Sequence, residues 1–121
     1  MTTEPLYING EFVQARATAT LDVVDPATTD VIGRVPDANA ADVDLAVRAA
    51  RTAFDAGPWR DATAQDRGRV LFKLAEIVRG RADELAALET QNTGKPIVEA
   101  EYDVADVATC FEYYGGLATK I

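Results

Sequence analysis

The residue types that most often carry out enzymatic chemistry are scarce in this sequence. Its 121 residues include no histidine and a single cysteine, Cys110. Within these residues a Ser-His-Asp triad, a His-ligated zinc site and a disulfide are therefore excluded. A cysteine nucleophile needs a nearby cation, base or helix N-terminus, and the charges around Cys110 are acidic. We therefore expect Cys110 to be a small packing residue rather than a nucleophile.

The second candidate for chemistry is Thr93-Gly94-Lys95-Pro96, which superficially resembles a phosphate-binding loop. Such a loop needs a glycine where this sequence has Glu89 and a Mg²⁺-binding hydroxyl where it has Pro96. The sequence also contains no G-x-G-x-x-G pattern. We therefore expect a helix-to-helix connection, in which Gly94 follows one helix and Pro96 opens the next.

Two other features have ordinary structural explanations. Four of the acids in the same stretch as Cys110 have a spacing that selects no catalytic pair, so surface positions are expected. They are Glu99, Asp103, Asp106 and Glu112. Trp59 is expected to fill the corner between the first two helices, because a large aromatic ring fills such a junction well.

Composition indicates a globular chain of one domain's length. Apolar residues make up 48% and charged residues 26%, which is unlike a disordered protein. The net charge of -8 argues against nucleic acid as a partner. No apolar run is long enough to span a membrane. The lone cysteine, together with a start that lacks a basic and then apolar leader pattern, predicts a cytoplasmic protein.

Residues 1–36 are typical of two small β-hairpins. Asn9-Gly10 separates two short β-prone segments, and this pair favours a type I′ turn, in which both central residues need positive φ. A second pair of segments, at 21–24 and 31–35, flanks a turn rich in Asp, Pro and Thr.

The rest of the chain shows apolar residues at helical spacing, which predicts three helices. They span residues 39–56, 63–92 and 96–119. Asn39 is expected to cap the first helix, with Asp42 in its first turn. The second contains Gly80, which weakens a helix, so a kink or short break is expected there.

Several stretches, taken in order along nearly the whole chain, form a pattern that is specific only in combination. They are Tyr7-Ile8-Asn9-Gly10-Glu11-Phe12, Asp25-Pro26-Ala27-Thr28 with Val31-Ile32-Gly33, residues 42–54 with Pro58-Trp59, residues 67–75, Leu88-Glu89-Thr90 with residues 92–96, and Glu112-Tyr113-Tyr114-Gly115-Gly116. Together they resemble the N-terminal part of the NAD(P)-dependent aldehyde dehydrogenases. The final stretch looks most like the branches that oxidise betaine aldehyde and aminoaldehydes.

Two positions depart from the family pattern in the second turn. Asp25 stands where Asn is more usual, and Thr29 stands where Gly is common. Because Thr tolerates positive φ poorly, this turn is expected to adopt another type.

The resemblance implies an α/β fold in the full enzyme. Residues 1–121 would be the N-terminal part of its NAD(P)-binding domain: two hairpins, then three helices that flank the dinucleotide-binding sheet. The enzyme would oxidise an aldehyde to a carboxylic acid with NAD or NADP, as a homodimer or homotetramer. The family's catalytic cysteine and glutamate and its cofactor-binding residues lie in later segments. No catalytic or cofactor-binding residue is therefore assigned here, and the chain is expected to be inactive alone.

One family site does map onto this chain, a structural monovalent cation, K⁺ or Na⁺. The resemblance implies main-chain oxygens of Val23 and Val24 and the carboxylate of Asp103 as ligands, with another ligand from a later segment. Oxygen ligands suit such a cation. The alternative is that Asp103 is an ordinary exposed acid.

The alternative function is a non-catalytic acidic helical module for interaction or assembly. Composition favours it, but no motif does, since the Asp-Ser-Leu attachment site of acyl carrier proteins is absent. A stand-alone module should melt cooperatively as a monomer. Part of a larger domain should instead expose apolar helix faces that bind a hydrophobic dye.

Overall fold

The computed structural model describes residues 3–120, and the chain divides into two compact units. In the described residues, the first unit (Met1–Asp61) contains four strands and two helices, and the second (Ala62–Ile121) contains three helices. The predicted order of two hairpins followed by helices is confirmed. No helix in residues 3–120 is both long and apolar enough to cross a bilayer.

The first hairpin pairs β1 (Leu6–Ile8) with β2 (Glu11–Val13) in antiparallel register. Asn9 and Gly10, between the strands, have φ values of 57° and 83°. Both central residues are therefore left-handed, as a type I′ turn requires.

The second hairpin pairs β3 (Thr20–Val24) with β4 (Val31–Pro36), also antiparallel, in a separate two-stranded sheet. Its register shifts between Val23 and Val24, which marks a β-bulge. The irregularity lies immediately before the turn that joins the two strands.

That turn contains a left-handed residue that is not glycine. Thr29 has a φ of 65°. From the sequence, the turn is expected to avoid positive φ at this residue, because Thr tolerates it poorly. Local hydrogen bonds account for the difference. The Asp25 carboxylate accepts the N–H groups of Ala27 and Thr28 at 2.8 and 3.3 Å, and the Asp25 carbonyl accepts the N–H of Thr29 at 2.8 Å.

Helix α1 (Ala40–Ala56) begins with a capping box. The Asn39 side chain accepts the N–H groups of Ala41 and Asp42 at 2.9 and 3.2 Å, and the Asp42 carboxylate accepts the N–H of Asn39 at 3.1 Å. A four-residue helix, α2 (Pro58–Asp61), follows in a stretch that the sequence analysis treated as a connection.

The second unit consists of α3 (Ala64–Gly80), α4 (Ala82–Thr93) and α5 (Ile97–Leu117). The stretch predicted as one helix with a break near residue 80 is thus two helices. They meet at Arg81, whose φ of -121° and ψ of 22° are not helical. With α2, the three predicted helices become five.

Small residues form the buried interior of the second unit. The buried positions in its helices are Gly68, Ala75, Ala86, Ala100, Ala108 and Gly115. Helices α3 and α5 approach so closely that a Cβ built on Gly68 would lie 2.8 Å from the carbonyl oxygen of Gly115. Across residues 3–120, no large side chain is fully buried.

Candidate functional site

An open groove of about 940 Å³ lies on α3, α4 and α5 of the second unit. Its walls are mainly apolar: Val78, Leu85, Val104, Val107, Phe111 and Tyr114. The charged side chains that line it within residues 3–120 are Glu89, Asp103 and Asp106, all acidic. The groove is therefore lined by apolar side chains together with acidic ones.

Cys110 lines this groove and is exposed to solvent. Within residues 3–120 Cys110 is therefore not buried, as the expected packing residue would be. On α5, Ala108 faces the interior. Cys110 follows two residues later, and its side chain therefore points about 200° around the helix axis from that of Ala108. The charged residues that line the groove with Cys110 are acids, and none is the kind of cation that activates a nucleophilic thiol.

Lys95 lies between two carboxylates at the junction of α4 and α5. Its Nζ contacts Asp103 Oδ2 and lies 3.4 Å from Glu89 Oε1. The hydrogen bond to Asp103, above all, raises the pKa of Lys95. Gly94 ends α4 with a left-handed φ of 75°, so residues 94–96 form the helix-to-helix connection that was predicted here. Its lysine is engaged by carboxylates, not positioned as in a phosphate loop.

The residues predicted to bind a monovalent cation lie on two elements of different units. Val23 and Val24 lie on β3 at the bulge, and Asp103 is an exposed residue of α5. Asp103 supplies the one side-chain oxygen of the set, and this carboxylate already contacts the Lys95 ammonium. A cation would therefore have to compete with Lys95. In residues 3–120, no three acids or thiols cluster as metal ligands, a finding that leaves main-chain oxygens untested.

The remaining predicted positions are accounted for by local packing and charge. Trp59 lies in α2 with 49% of its surface exposed, so it is not a fully buried plug. Glu99 and Asp106 are exposed, as expected. Glu112 instead accepts two hydrogen bonds from the Arg79 guanidinium, at 2.6 and 3.3 Å, which joins α5 to α3.

The sequence analysis missed most of the role of Asp42, which it treated only as a residue in the first turn of a helix. This side chain is 2% exposed. Its carboxylate accepts the N–H groups of Arg16 at 2.7 Å and Ala17 at 3.1 Å, besides that of Asn39. The Arg16 hydrogen bond is the largest of the effects that lower the pKa of Asp42. The capping pattern was visible in the sequence, but partners 25 and 26 residues away were not.

Comparison with known proteins identifies the family. A model of the aldehyde dehydrogenase family matches residues 12–121. The chain belongs to the aldehyde dehydrogenase family. This membership agrees with the resemblance found in the sequence.

Individual aldehyde dehydrogenases match almost the whole chain. An aldehyde dehydrogenase of Alternaria alternata is 48% identical over 117 residues, which cover 96% of this chain and 23% of the relative. The crystal structure of an NAD-dependent aldehyde dehydrogenase from Sinorhizobium meliloti matches with a TM-score of 0.92 and 37% identity, covering 99% of this chain and 24% of that one.

A betaine aldehyde dehydrogenase from Staphylococcus aureus, crystallised with NAD⁺, also matches with a TM-score of 0.92 and 36% identity. The match covers 98% of this chain and 24% of the S. aureus chain. The chain therefore spans about a quarter of the length of the aldehyde dehydrogenases that it matches.

Proposed function

We propose that this chain works as part of an NAD(P)-dependent aldehyde dehydrogenase. The reaction converts an aldehyde and water to a carboxylic acid, while NAD(P)⁺ accepts a hydride to become NAD(P)H and one proton is released. The family match over residues 12–121 carries this proposal. The similarity to a structure with bound NAD⁺ supports the choice of cofactor.

We further propose that residues 1–121 supply scaffold rather than catalytic or cofactor-binding groups. Two observations support this. Cys110, the single thiol, faces a groove whose charged residues are acids, and the chain has no histidine to serve as a base. Lys95, the lysine of the glycine-containing connection, is engaged by Asp103 and Glu89.

The test compares residues 1–121 with the complete protein that contains them. Each is mixed with betaine aldehyde or aminobutyraldehyde and with NAD⁺ or NADP⁺, and NAD(P)H absorbance is followed. We expect turnover by the complete protein and none by residues 1–121. Cys110→Ser in the complete protein should retain the unaltered kcat. Turnover by residues 1–121, or loss of kcat in Cys110→Ser, would contradict the scaffold role.

For the substrate, we propose an aldehyde with a cationic nitrogen, of the betaine or aminoaldehyde type. Two observations support this choice: the motif Tyr113-Tyr114-Gly115-Gly116 near the end of α5, and the similarity to the S. aureus enzyme. The matched control is 3,3-dimethylbutanal, which has the shape of betaine aldehyde without its charge. We expect a higher kcat/KM for betaine aldehyde, and equal values for the two compounds would refute the proposal.

We propose that main-chain oxygens of Val23 and Val24 and the carboxylate of Asp103 bind a monovalent cation. Because Lys95 contacts Asp103, we propose that its ammonium competes with K⁺ for this carboxylate. K⁺ should raise the melting temperature of the complete protein, and Asp103→Asn should remove the effect. Lys95→Met should lower the K⁺ concentration needed for half of the shift. A melting temperature that does not respond to K⁺ would exclude the site.

We also propose that the enzyme is a cytoplasmic homodimer or homotetramer. Large apolar side chains with more than half of their surface exposed, such as Phe12, Phe54 and Val98, support burial in a larger assembly. The exposed, unpaired Cys110 suits a reducing compartment. Light scattering on the eluting protein measures the assembly, and a monomer would contradict it. Cell fractionation tests the compartment, and recovery outside the cytoplasmic fraction would contradict that assignment.

A further inference from the structure

One carboxylate joins two segments of the first unit that are distant in sequence. Residues 14–19, which connect β2 to β3, are here called the strap. The strap's Arg16 N–H donates to Asp42 Oδ1 at 2.7 Å, and its Ala17 N–H donates to Asp42 Oδ2 at 3.1 Å. Oδ2 also accepts the N–H of Asn39 at 3.1 Å. Three backbone donors thus converge on a side chain that is 2% exposed.

The first hairpin is tethered by the two chain segments that flank it, one before β1 and one after β2. In addition, β1 packs against α1. Before β1, main-chain contacts fix the chain to β4: Thr3 forms a parallel bridge with Arg34, and the Glu4 N–H donates to the Arg34 carbonyl at 2.9 Å. After β2, the tether is the strap. Because β1 and β2 form a sheet of their own, the hairpin has no strand partner in the second hairpin. One of its two tethers therefore depends on a charged side chain.

The charge on Asp42 matters because N–H donors bond more strongly to a carboxylate than to a neutral acceptor. If the carboxylate is neutralised, one oxygen becomes a donor, and a buried N–H that loses its acceptor is costly. Arg16 is the charged residue that acts on Asp42 from the strap, and it favours the ionised form, while Asn39 from the helix cap is neutral. Hydrogen bonding keeps the pKa of Asp42 below its ordinary value, so the charge persists at neutral pH.

We propose that Asp42 is a carboxylate latch that closes the strap onto α1 and so fixes the first hairpin. The hairpin carries an exposed pair of aromatic rings, Tyr7 and Phe12, with centroids 5.1 Å apart, and the latch sets their position. Loss of the Asp42 hydrogen bonds to Arg16 and Ala17 frees the strap but does not unfold α1, because the Asn39 side chain still accepts the first helical N–H groups.

The proposal is tested by amide hydrogen exchange on the intact protein. Asp42→Asn removes the charge at nearly constant shape. The matched control is Asp44→Asn, two positions further on, where the carboxylate pairs on the surface with Arg48. In Asp42→Asn we expect the Arg16 and Ala17 amides to exchange about tenfold faster, the size of one lost hydrogen bond. They should be unchanged in Asp44→Asn, and the central amides of α1 should be unchanged in both.

Two outcomes of this comparison would overturn the latch. One is unchanged exchange at Arg16 and Ala17 in Asp42→Asn. The other is loss of protection in α1 together with the strap, which would make Asp42 a helix-stabilising residue only.

If Asp42→Asn fails to fold, the unaltered protein provides the test. On acidification, the amide proton shifts of Arg16 and Ala17 should move with the Asp42 carboxyl carbon signal at one shared midpoint. Separate midpoints, or no shift of the two amides, would refute the proposal.

Discussion

The two compact units hold their segments together by different means. In the first, the buried polar residue is Asp42, and its bonds to the strap are polar and directional. In the second, the buried positions are alanines and glycines, and the helices meet where side-chain volume is missing. No large side chain in residues 3–120 is fully buried, and the comparison shows that such a fold can be organised either by hydrogen-bond geometry or by close backbone approach.

The difference predicts opposite responses to added side-chain atoms. In the second unit, a methyl group at the helix crossing should be destabilising. In the first, removing a side chain from a left-handed turn residue should be stabilising. Both responses can be measured as free energies of unfolding in urea.

The largest effect is expected at Gly68. In Gly68→Ala the new methyl group would lie 2.8 Å from the Gly115 carbonyl oxygen, so α3 and α5 must move apart. We expect a loss of about 2 kcal/mol, since overpacking typically costs about 1–3 kcal/mol and exceeds the gain in helix propensity. Urea unfolding followed by circular dichroism measures it.

The matched control for the crossing is Gly116→Ala, in the same helix as Gly115. A Cβ there meets nothing within 4 Å, so the substitution should be neutral or stabilising by up to about 1 kcal/mol. Equal effects of Gly68→Ala and Gly116→Ala would show that close approach does not organise the second unit.

A second prediction concerns how the stabilising contribution of Asp42 depends on pH. The folded pKa of Asp42 is lowered, chiefly by the Arg16 hydrogen bond, so its stabilising contribution is present above the ordinary aspartate pKa. It should be lost as pH falls through the lowered value. The advantage of the unaltered protein over Asp42→Asn in melting temperature should therefore shrink across this acidic window. A difference that is constant with pH would argue against a charge-dependent contact.

The comparison with Asp42→Asn is needed because other acids respond in the same direction. Hydrogen bonds also lower the pKa values of Asp55, Asp66 and Glu84, so acid weakens more than one contact. These groups are present in both proteins, and their contributions cancel in the difference.

A third, smaller effect is expected in the turn at Thr29. Its φ of 65° disfavours a β-branched side chain, so Thr29→Gly should stabilise the fold by about 0.5–1 kcal/mol after the entropy of the unfolded glycine is included. Thr28→Gly should destabilise it, because Thr28 Oγ1 accepts the N–H of Asp30 at 3.2 Å. Destabilisation by Thr29→Gly would mean that its side chain contributes more than the strain costs.

The smallest effect is expected at the Arg79–Glu112 ion pair between α3 and α5. Both side chains are nearly half exposed, so a double-mutant cycle with alanine should give a coupling of about 0.5 kcal/mol that falls with added salt. A coupling well above this value and insensitive to salt would mean that charge organises the second unit as well as the first.

Features determined by neighbouring residues could be predicted from the sequence. The type I′ turn follows from Asn9-Gly10, because these two residues accept positive φ most readily. Asn39 as a cap follows from its side-chain oxygen, and the α4–α5 connection follows from Gly94 and Pro96. In each case the cause and the structure lie within a few residues of each other.

Features that depend on residues distant in sequence could not be predicted from the sequence. Nothing near Asp42 in the sequence indicates Arg16 and Ala17 as partners, and nothing near Gly68 indicates Gly115. Cys110 was misplaced for a related reason. Its stretch of α5 is apolar on more than one face, so periodicity alone did not show which side α3 covers.

The contact between α3 and α5 also restricts how the sequence can change over time. The Gly115 carbonyl occupies the space that a Cβ of residue 68 would need, and a Cβ on residue 115 would lie 3.2 Å from the Gly68 carbonyl oxygen, so a side chain at either glycine crowds the helix crossing. Both positions are therefore expected to stay glycine across descendants of this sequence, while the neighbouring Gly116 is free to vary. A pair of residues that carries no chemistry would then be among the slowest to evolve.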